Sequence, residues 1–228
     1  MRFYTAPRII ESKMANDDIK STNGRTGMSK KGRRLSAYSL IKRGLDVFFS
    51  AVLLLLLALP MLLIWIAVRI DSPGAGFFRQ ERVGRDSKSF VCYKFRTMYI
   101  NAPSNCPSSQ LTDSQRYITR VGRLLRRTSL DELPQLFNVL KGNMSLVGPR
   151  PLIAQEHEVH EGRLRGGVYT LRPGITGLSQ INGRDALSDE QKVLLDCEYL
   201  DQFGFFQDLK IVGLTLKKVV TGEGIIKK

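Results

Sequence analysis

VFFSAVLLLLLALPMLLIWIAV, residues 47–68, runs for 22 positions without a charge between Asp46 and Arg69. A membrane-spanning helix needs about 20 apolar residues, so this stretch has membrane length and dictates how its surroundings are arranged. It lies too far from the N-terminus for a secretory signal peptide, is too long, and has no small-residue cleavage site after it. The plain reading is a single-pass spanning helix. Charge argues for something else. Residues 1–43 carry eleven Lys/Arg against three Asp/Glu, and residues 69–99 carry seven against three. A spanning helix would place one basic flank on the outer face, against the positive-inside bias, whereas a hairpin entering and leaving on the cytoplasmic side keeps both inside. Pro60 supplies the break, because it has no N–H for the Leu56 carbonyl and its ring clashes there. The limbs 47–59 and 61–68 reach roughly 20 and 12 Å, each short of a hydrocarbon core about 30 Å thick. Proline is tolerated in spanning helices too, so the break alone does not decide.

Outward from this segment, residues 1–36 are polar and basic without an apolar period and read as a flexible cytoplasmic tail drawn to anionic lipid. Residues 37–68 form the membrane segment, and 69–228 remain for one catalytic-sized domain. In that domain, Phe77–Val83 and Phe90–Phe95 flank the turn Gly84-Arg85-Asp86-Ser87, which predicts a β-hairpin. Residues 116–127 place Ile118, Val121, Leu124 and Leu125 at helical spacing with arginines around the other side. Such a helix suits a headgroup layer or a protein surface. Phe206 to Val220 repeats the pattern with Leu209, Val212, Leu216 and Val219, expected to face the core. The fold class expected is α+β: a small, mostly helical catalytic domain with a short β-hairpin, anchored by a re-entrant helix-break-helix. Cys92, Cys106 and Cys197 are odd in number and lie in no CxxC pair, so neither a disulfide framework nor a zinc ribbon is indicated.

The full chain of 228 residues carries a formal charge of +14, which points to anionic partners. Nucleic acid is disfavoured: there is no RNP, KH, zinc-finger or helix-turn-helix signature, and aromatics do not interleave with the basic residues. His157 and His160 stand three apart, a spacing better explained by a solvated helix face than by a metal site.

Ser129-Leu130-Asp131-Glu132-Leu133-Pro134-Gln135 follows the arginine helix. Ser129-x-x-Glu132 has the form of a capping box, but a helix starting there would put Pro134 where its missing N–H deletes a hydrogen bond. A start at Asp131 leaves Pro134 inside the first turn. Either start sets Asp131 and Glu132 at a helix N-terminus, which favours the ionised carboxylates. Beside arginines, such a carboxylate can attack phosphorus or hold Mg²⁺; it can also simply cap a helix. Gly148-Pro149-Arg150-Pro151, Arg172-Pro173-Gly174 and Asn182-Gly183-Arg184 hold three arginines on stiff turns, suited to phosphate oxygens. Lys94 and Arg96 share a strand face and could bind phosphate or be ordinary edge-strand charge.

In order, Lys42-Arg43-x-x-Asp46, the apolar run broken at Pro60, Tyr93-Lys94-Phe95-Arg96-Thr97-Met98, Ser129 through Gly142, Ser145 through Pro151 and Arg172 through Arg184 resemble the bacterial sugar transferases, the monotopic phosphoglycosyl transferases. The resemblance covers about residues 40–220. It implies transfer of a sugar-1-phosphate from a UDP-sugar to undecaprenyl phosphate, with release of UMP, as the first membrane step of surface-glycan assembly. It implies Asp131 as the nucleophile that carries the phosphosugar, Glu132 as its assistant, Mg²⁺ as cofactor with Asp131 a ligand, and Arg126, Arg150 and Arg184 as phosphate-binding residues. It places the enzyme on the cytoplasmic face of the bacterial inner membrane, with anionic lipids as partners. Homo-oligomers and later glycan-assembly enzymes are further candidate partners. One departure stands out: the family often has Ser before the membrane proline, and this chain has Leu59.

Overall fold

The computed structural model describes residues 30–103, 114–183 and 186–221. The chain divides into two units, Met1–Ser36 and Ala37–Lys228. In chain order the elements are helix α1 (Lys30–Asp71), strands β1 (Phe77–Val83) and β2 (Ser89–Phe95), helices α2 (Arg120–Thr128) and α3 (Gln135–Lys141), strand β3 (Ser145–Val147), helix α4 (His157–Arg165), strand β4 (Gly174–Thr176), and helices α5 (Leu178–Asn182), α6 (Asp189–Asp201) and α7 (Phe205–Thr221). Helix and strand are mixed as expected. The expectation of a single hairpin is corrected by a second sheet, in which β3 and β4 pair in parallel. Three-residue strands carry too little alternation to register as a pattern.

α1 begins at Lys30, inside the segment read as a tail, whose remaining residues 1–29 lie outside the described residues. The helix continues past Pro60 rather than ending there, without the bond that Pro60 cannot donate, and Ala37–Leu56 and Ala58–Asp71 meet at 63°. The bend therefore falls beside Leu56, the residue whose carbonyl Pro60 cannot serve. Among the described residues no single helix is long and apolar enough to cross a membrane, and the bent pair passes only together.

Both limbs of α1 are fastened to the same body. In the first limb, Lys42 Nζ donates to Asp208 Oδ2 at 2.6 Å, Arg43 donates to the carbonyls of Val139 and Leu140 at 2.6 and 3.0 Å, and Asp46 Oδ1 accepts the Leu146 N–H at 3.0 Å. Beyond the bend, Met61 and Val68 are buried against Phe95 and Leu125. Arg96, read from its strand face as a candidate phosphate ligand, instead donates to the carbonyls of Pro73 and Ser72 at 2.5 and 2.7 Å. The buried guanidinium thus satisfies carbonyls of the chain just past the end of α1, where the helix dipole favours a cation. The opposite side of α1, including Leu55, Leu56, Leu59 and Leu63, is exposed.

The hairpin has the expected register, Phe77 opposite Phe95 and Val83 opposite Ser89. Its tip holds Asp86 and Ser87 at φ 55° and 57°. Asn138 of α3 clamps the free edge of β2, accepting the Tyr93 N–H at 3.0 Å and donating to the Val91 carbonyl at 2.6 Å.

α2 starts at Arg120, with Thr119 Oγ1 accepting the Gly122 N–H at 3.0 Å and Asp71 Oδ2 accepting the Val121 N–H at 2.9 Å. Val121 and Leu125 pack on the second limb of α1, while Leu124 stays exposed. The helix lies so close to the chain after β2 that a Cβ on Gly122 would sit 2.1 Å from the Thr97 carbonyl oxygen. Gly122→Ala is expected to force backbone apart and cost about 1–3 kcal/mol or more, read as a lower urea midpoint. A midpoint equal to that of the parent chain would contradict this close approach.

α7 reverses an expectation. Leu209, Val212, Leu216 and Val219, expected to face the core, are exposed, and the buried residues are Ile211 and Asp208. Thr215 Oγ1 meets Thr176 Oγ1 at 2.7 Å on the same side, and Lys218 donates to the Ile181 carbonyl. Helical spacing identifies an apolar stripe but not which side the protein covers.

Candidate active site

Asp131 and Glu132 lie in a 3₁₀ turn, Leu130–Glu132, between α2 and α3. Ser129 ends α2 in the left-handed conformation, φ 57°, and its side chain makes no cap hydrogen bond, so the capping-box reading fails. The expected helix start at Asp131 is also corrected: α3 begins at Gln135, with Pro134 as its N-cap residue at φ −62°. Proline suits that position because its φ is already helical and no N–H is required. Behind a separate 3₁₀ turn, and ahead of a helix of only seven residues, the carboxylates gain less from the helix dipole than a true first turn would give.

Asp131 retains 9% of its surface. Lys94 Nζ reaches Glu132 Oε1 at 2.8 Å from the facing strand β2, both side chains being mostly buried. Because pleated neighbours alternate, Lys94 shares its strand face with Cys92 and, across the hairpin, with Gln80 and Arg82. Arg82 donates to the Pro151 carbonyl at 3.0 Å and to Gln80 Oε1. Burial, and then the Arg150 guanidinium, hold Arg82 below its ordinary pKa. Burial pushes the Cys92 thiol up, opposed by Lys94 and Arg82. Lys94, Arg82 and Arg150 thus form a basic surround on the Glu132 side of the dyad. Of the expected site residues, Lys94 is brought to the dyad. Arg126, from the last turn of α2, donates through Nε to Thr97 Oγ1 at 2.9 Å.

Arg150 is placed by a connection that local pattern does not signal. Arg163 of α4, 2% exposed, donates to the Arg150 carbonyl at 2.8 Å while its Nε and Nη2 hold Asp196 Oδ2 at 2.9 and 2.6 Å. Ser179 Oγ donates to Asp196 Oδ1 at 3.1 Å. The Gly148 turn is also pressed on the Pro173 turn, since a Cβ on Gly174 would lie 2.1 Å from the Gly148 nitrogen. The Gly/Pro turns are therefore mutually packed backbone, not separate loops.

Arg172 is not brought to the dyad. Its Nε donates to the Gly142 carbonyl at 3.0 Å, just past the far end of α3, which is about 10 Å long. Its charged neighbours are Arg85, Arg43, Asp46 and Asp86. Arg184 lies outside the described residues. His160, expected on a solvated face, bridges the Tyr169 hydroxyl and the Ile153 carbonyl. Its ring is a structural cross-link.

No group of three or more His, Cys, Asp or Glu side chains among the described residues could enclose a metal ion. Mg²⁺ commonly binds through one or two carboxylates plus substrate phosphates and water. With Glu132 paired to Lys94, the donor set fits an ion carried by a diphosphate with Asp131 as its protein ligand, and does not fit a closed protein cage.

The family model for bacterial sugar transferases matches residues 37–222. The chain belongs to the bacterial sugar transferase family. This transferase is 44% identical over 186 residues to the Bacillus subtilis (strain 168) protein named uncharacterized sugar transferase EpsL, covering 82% of this chain and 90% of that one. It is 39% identical over 195 residues to the Caulobacter vibrioides UDP-glucose:undecaprenyl-phosphate glucose-1-phosphate transferase, covering 82% and 72%. It is 37% identical over 199 residues to the Salmonella typhimurium undecaprenyl-phosphate galactose phosphotransferase, covering 81% and 41%. The chain spans about two fifths of the length of several curated relatives it matches. A glucose and a galactose enzyme stand at nearly equal identity, so overall similarity to this transferase does not select the sugar.

Proposed function

We propose that the protein transfers a sugar-1-phosphate from a UDP-sugar to undecaprenyl phosphate at the cytoplasmic face of the bacterial inner membrane, releasing UMP. The observation carrying this reading is the carboxylate pair beside Lys94, in a chain whose family match spans both dyad and bent helix. An Asp131 carboxylate oxygen attacks the sugar-bearing phosphorus, and the bond from that phosphorus to the bridging oxygen breaks, so UMP departs with both electrons. An oxygen of undecaprenyl phosphate then attacks the same phosphorus and frees the carboxylate. Two steps let two mutually repelling phosphate substrates occupy the site in turn. Lys94 orients Glu132 beside the nucleophile, and the Arg82, Arg126 and Arg150 guanidiniums stabilise charge on phosphate oxygens. Mg²⁺ held with Asp131 supplies charge neutralisation on the diphosphate when bound.

The bent helix supports a re-entrant anchor. A spanning helix delivers its ends to opposite sides of a core about 30 Å thick, whereas Lys42–Asp46 and Met61–Val68 hold one body. Tags on both termini are expected to be reached by protease only from the cytoplasmic side, and cleavage of either from outside would refute the hairpin. UMP release with undecaprenyl phosphate, screened across UDP-glucose, UDP-galactose and their N-acetyl analogues, tests the reaction. No release from any UDP-sugar would overturn the assignment. Turnover is expected to vanish in excess chelator and return with added Mg²⁺, while full turnover in chelator would remove the metal from the scheme.

A further inference from the structure

A pocket separate from the dyad opens between the Ser39–Asp46 stretch of α1 and the Arg172 turn, lined by Ser39, Lys42, Arg43, Arg85, Arg172 and Tyr199. Four cations in one pocket is an unusual concentration, but they are not equally available. Lys42 is paired with Asp208, and Arg43 donates to the carbonyls of Val139 and Leu140. Asp46 also lines the pocket, accepting the Leu146 N–H, and Asp86 sits 3.3 Å from Arg85 Nε. Arg172 uses only its Nε, on Gly142, so its two terminal nitrogens make no hydrogen bond among the described residues. Burial, and then the neighbouring Arg85 and Arg43, depress its pKa, while Asp46 and Asp86 act the other way.

The pocket's depth narrows the ligand. Its α1 residues end at Asp46, and the charge-free run starts at the next residue, Val47. Arg43 stands about 6 Å along the helix from that start. If α1 enters a bilayer there, the pocket sits in the headgroup layer. We propose that it takes the phosphate group of an anionic phospholipid headgroup, held by the free fork of Arg172 with Arg85 and Arg43 around it. This rests on the membrane reading of α1 and not on the transfer chemistry. A paired guanidinium–phosphate contact is bidentate and directional, which a diffuse basic surface is not.

The test is native mass spectrometry of the full chain in neutral-detergent micelles, titrated with phosphatidylglycerol. Lipid retention is the readout, so the result is independent of turnover. One molecule is expected to be retained by the parent chain, with affinity about tenfold or more lower in Arg172→Gln. Arg85→Gln, at the exposed hairpin tip, is expected to weaken retention in the same direction, and serves if loss of the Gly142 contact unfolds the first variant. Lys217→Gln on α7 makes the same charge change outside the pocket and is expected to leave retention at the parent value. Unchanged retention in both arginine variants, or an equal loss in Lys217→Gln, would overturn the site. Displacement of the lipid by inorganic phosphate at comparable concentration would overturn its assignment to a headgroup.

Discussion

Asp131→Asn is expected to eliminate the covalent phosphosugar adduct and to lower turnover by on the order of 10³-fold or more, the scale at which loss of a nucleophile is felt. The substitution keeps the size and shape of the side chain, so the 3₁₀ turn and the pairing of Lys94 with Glu132 are expected to survive. An amide oxygen is neither anionic nor a competent attacker at phosphorus, so chemistry fails while the fold holds. The measurement is intact-protein mass after exposure to UDP-glucose or UDP-galactose without lipid acceptor. Undiminished mass gain in Asp131→Asn would exclude Asp131 as the attacking group. An adduct retained in Asp131→Asn but lost in Glu132→Gln would move the nucleophile one residue along.

Asp196→Ala is expected to cause the largest loss of stability. Asp196 and Arg163 are buried together, and burial pushes the Asp196 carboxyl up even with the guanidinium beside it. Removing only the acid strands a charged group that has no water to turn to, a loss of about 3–5 kcal/mol. For a chain of this size that lowers Tm by roughly 6–20 °C. Asp196→Asn retains acceptor and shape and is expected to lose less. Because Arg163 also grips the Arg150 carbonyl, UDP-sugar affinity is expected to fall in whatever folded fraction remains. A Tm within about 2 °C of the parent value would mean that this ion pair is not the buried connector described.

Legibility from sequence followed the range of the interaction. The hairpin was readable because seven consecutive pairs alternate and a Gly-initiated turn joins them. A bend close to Pro60 is readable because one missing N–H has a local effect, and it falls one turn back, beside Leu56. The start of α3 is not legible, because a 3₁₀ turn ahead of Pro134 satisfies the same local rules as a helix start at Asp131. Arg82 belongs to no motif, and the signal for it is its place opposite Phe90, on the face shared with Lys94. Arg172 and Arg150 look alike in sequence because both sit in Gly/Pro turns, and only the packing of α3 separates them. Lys42 with Asp208, or Arg163 with Asp196, joins residues far apart in sequence, and no periodicity announces such a pairing. Family resemblance marked both regions without saying that Lys42-Arg43-x-x-Asp46 is a joint.

α3 has the Asp131–Glu132 turn at one extremity and Arg43 of α1 gripping its last carbonyls at the other. On the proposed function, that spacing makes the stand-off between the carboxylates and the lipid boundary a rigid gauge rather than a tether. An acceptor whose phosphate rides at one constant height above its buried tail would then meet a group held at one constant height too, leaving only lateral diffusion to bring them together.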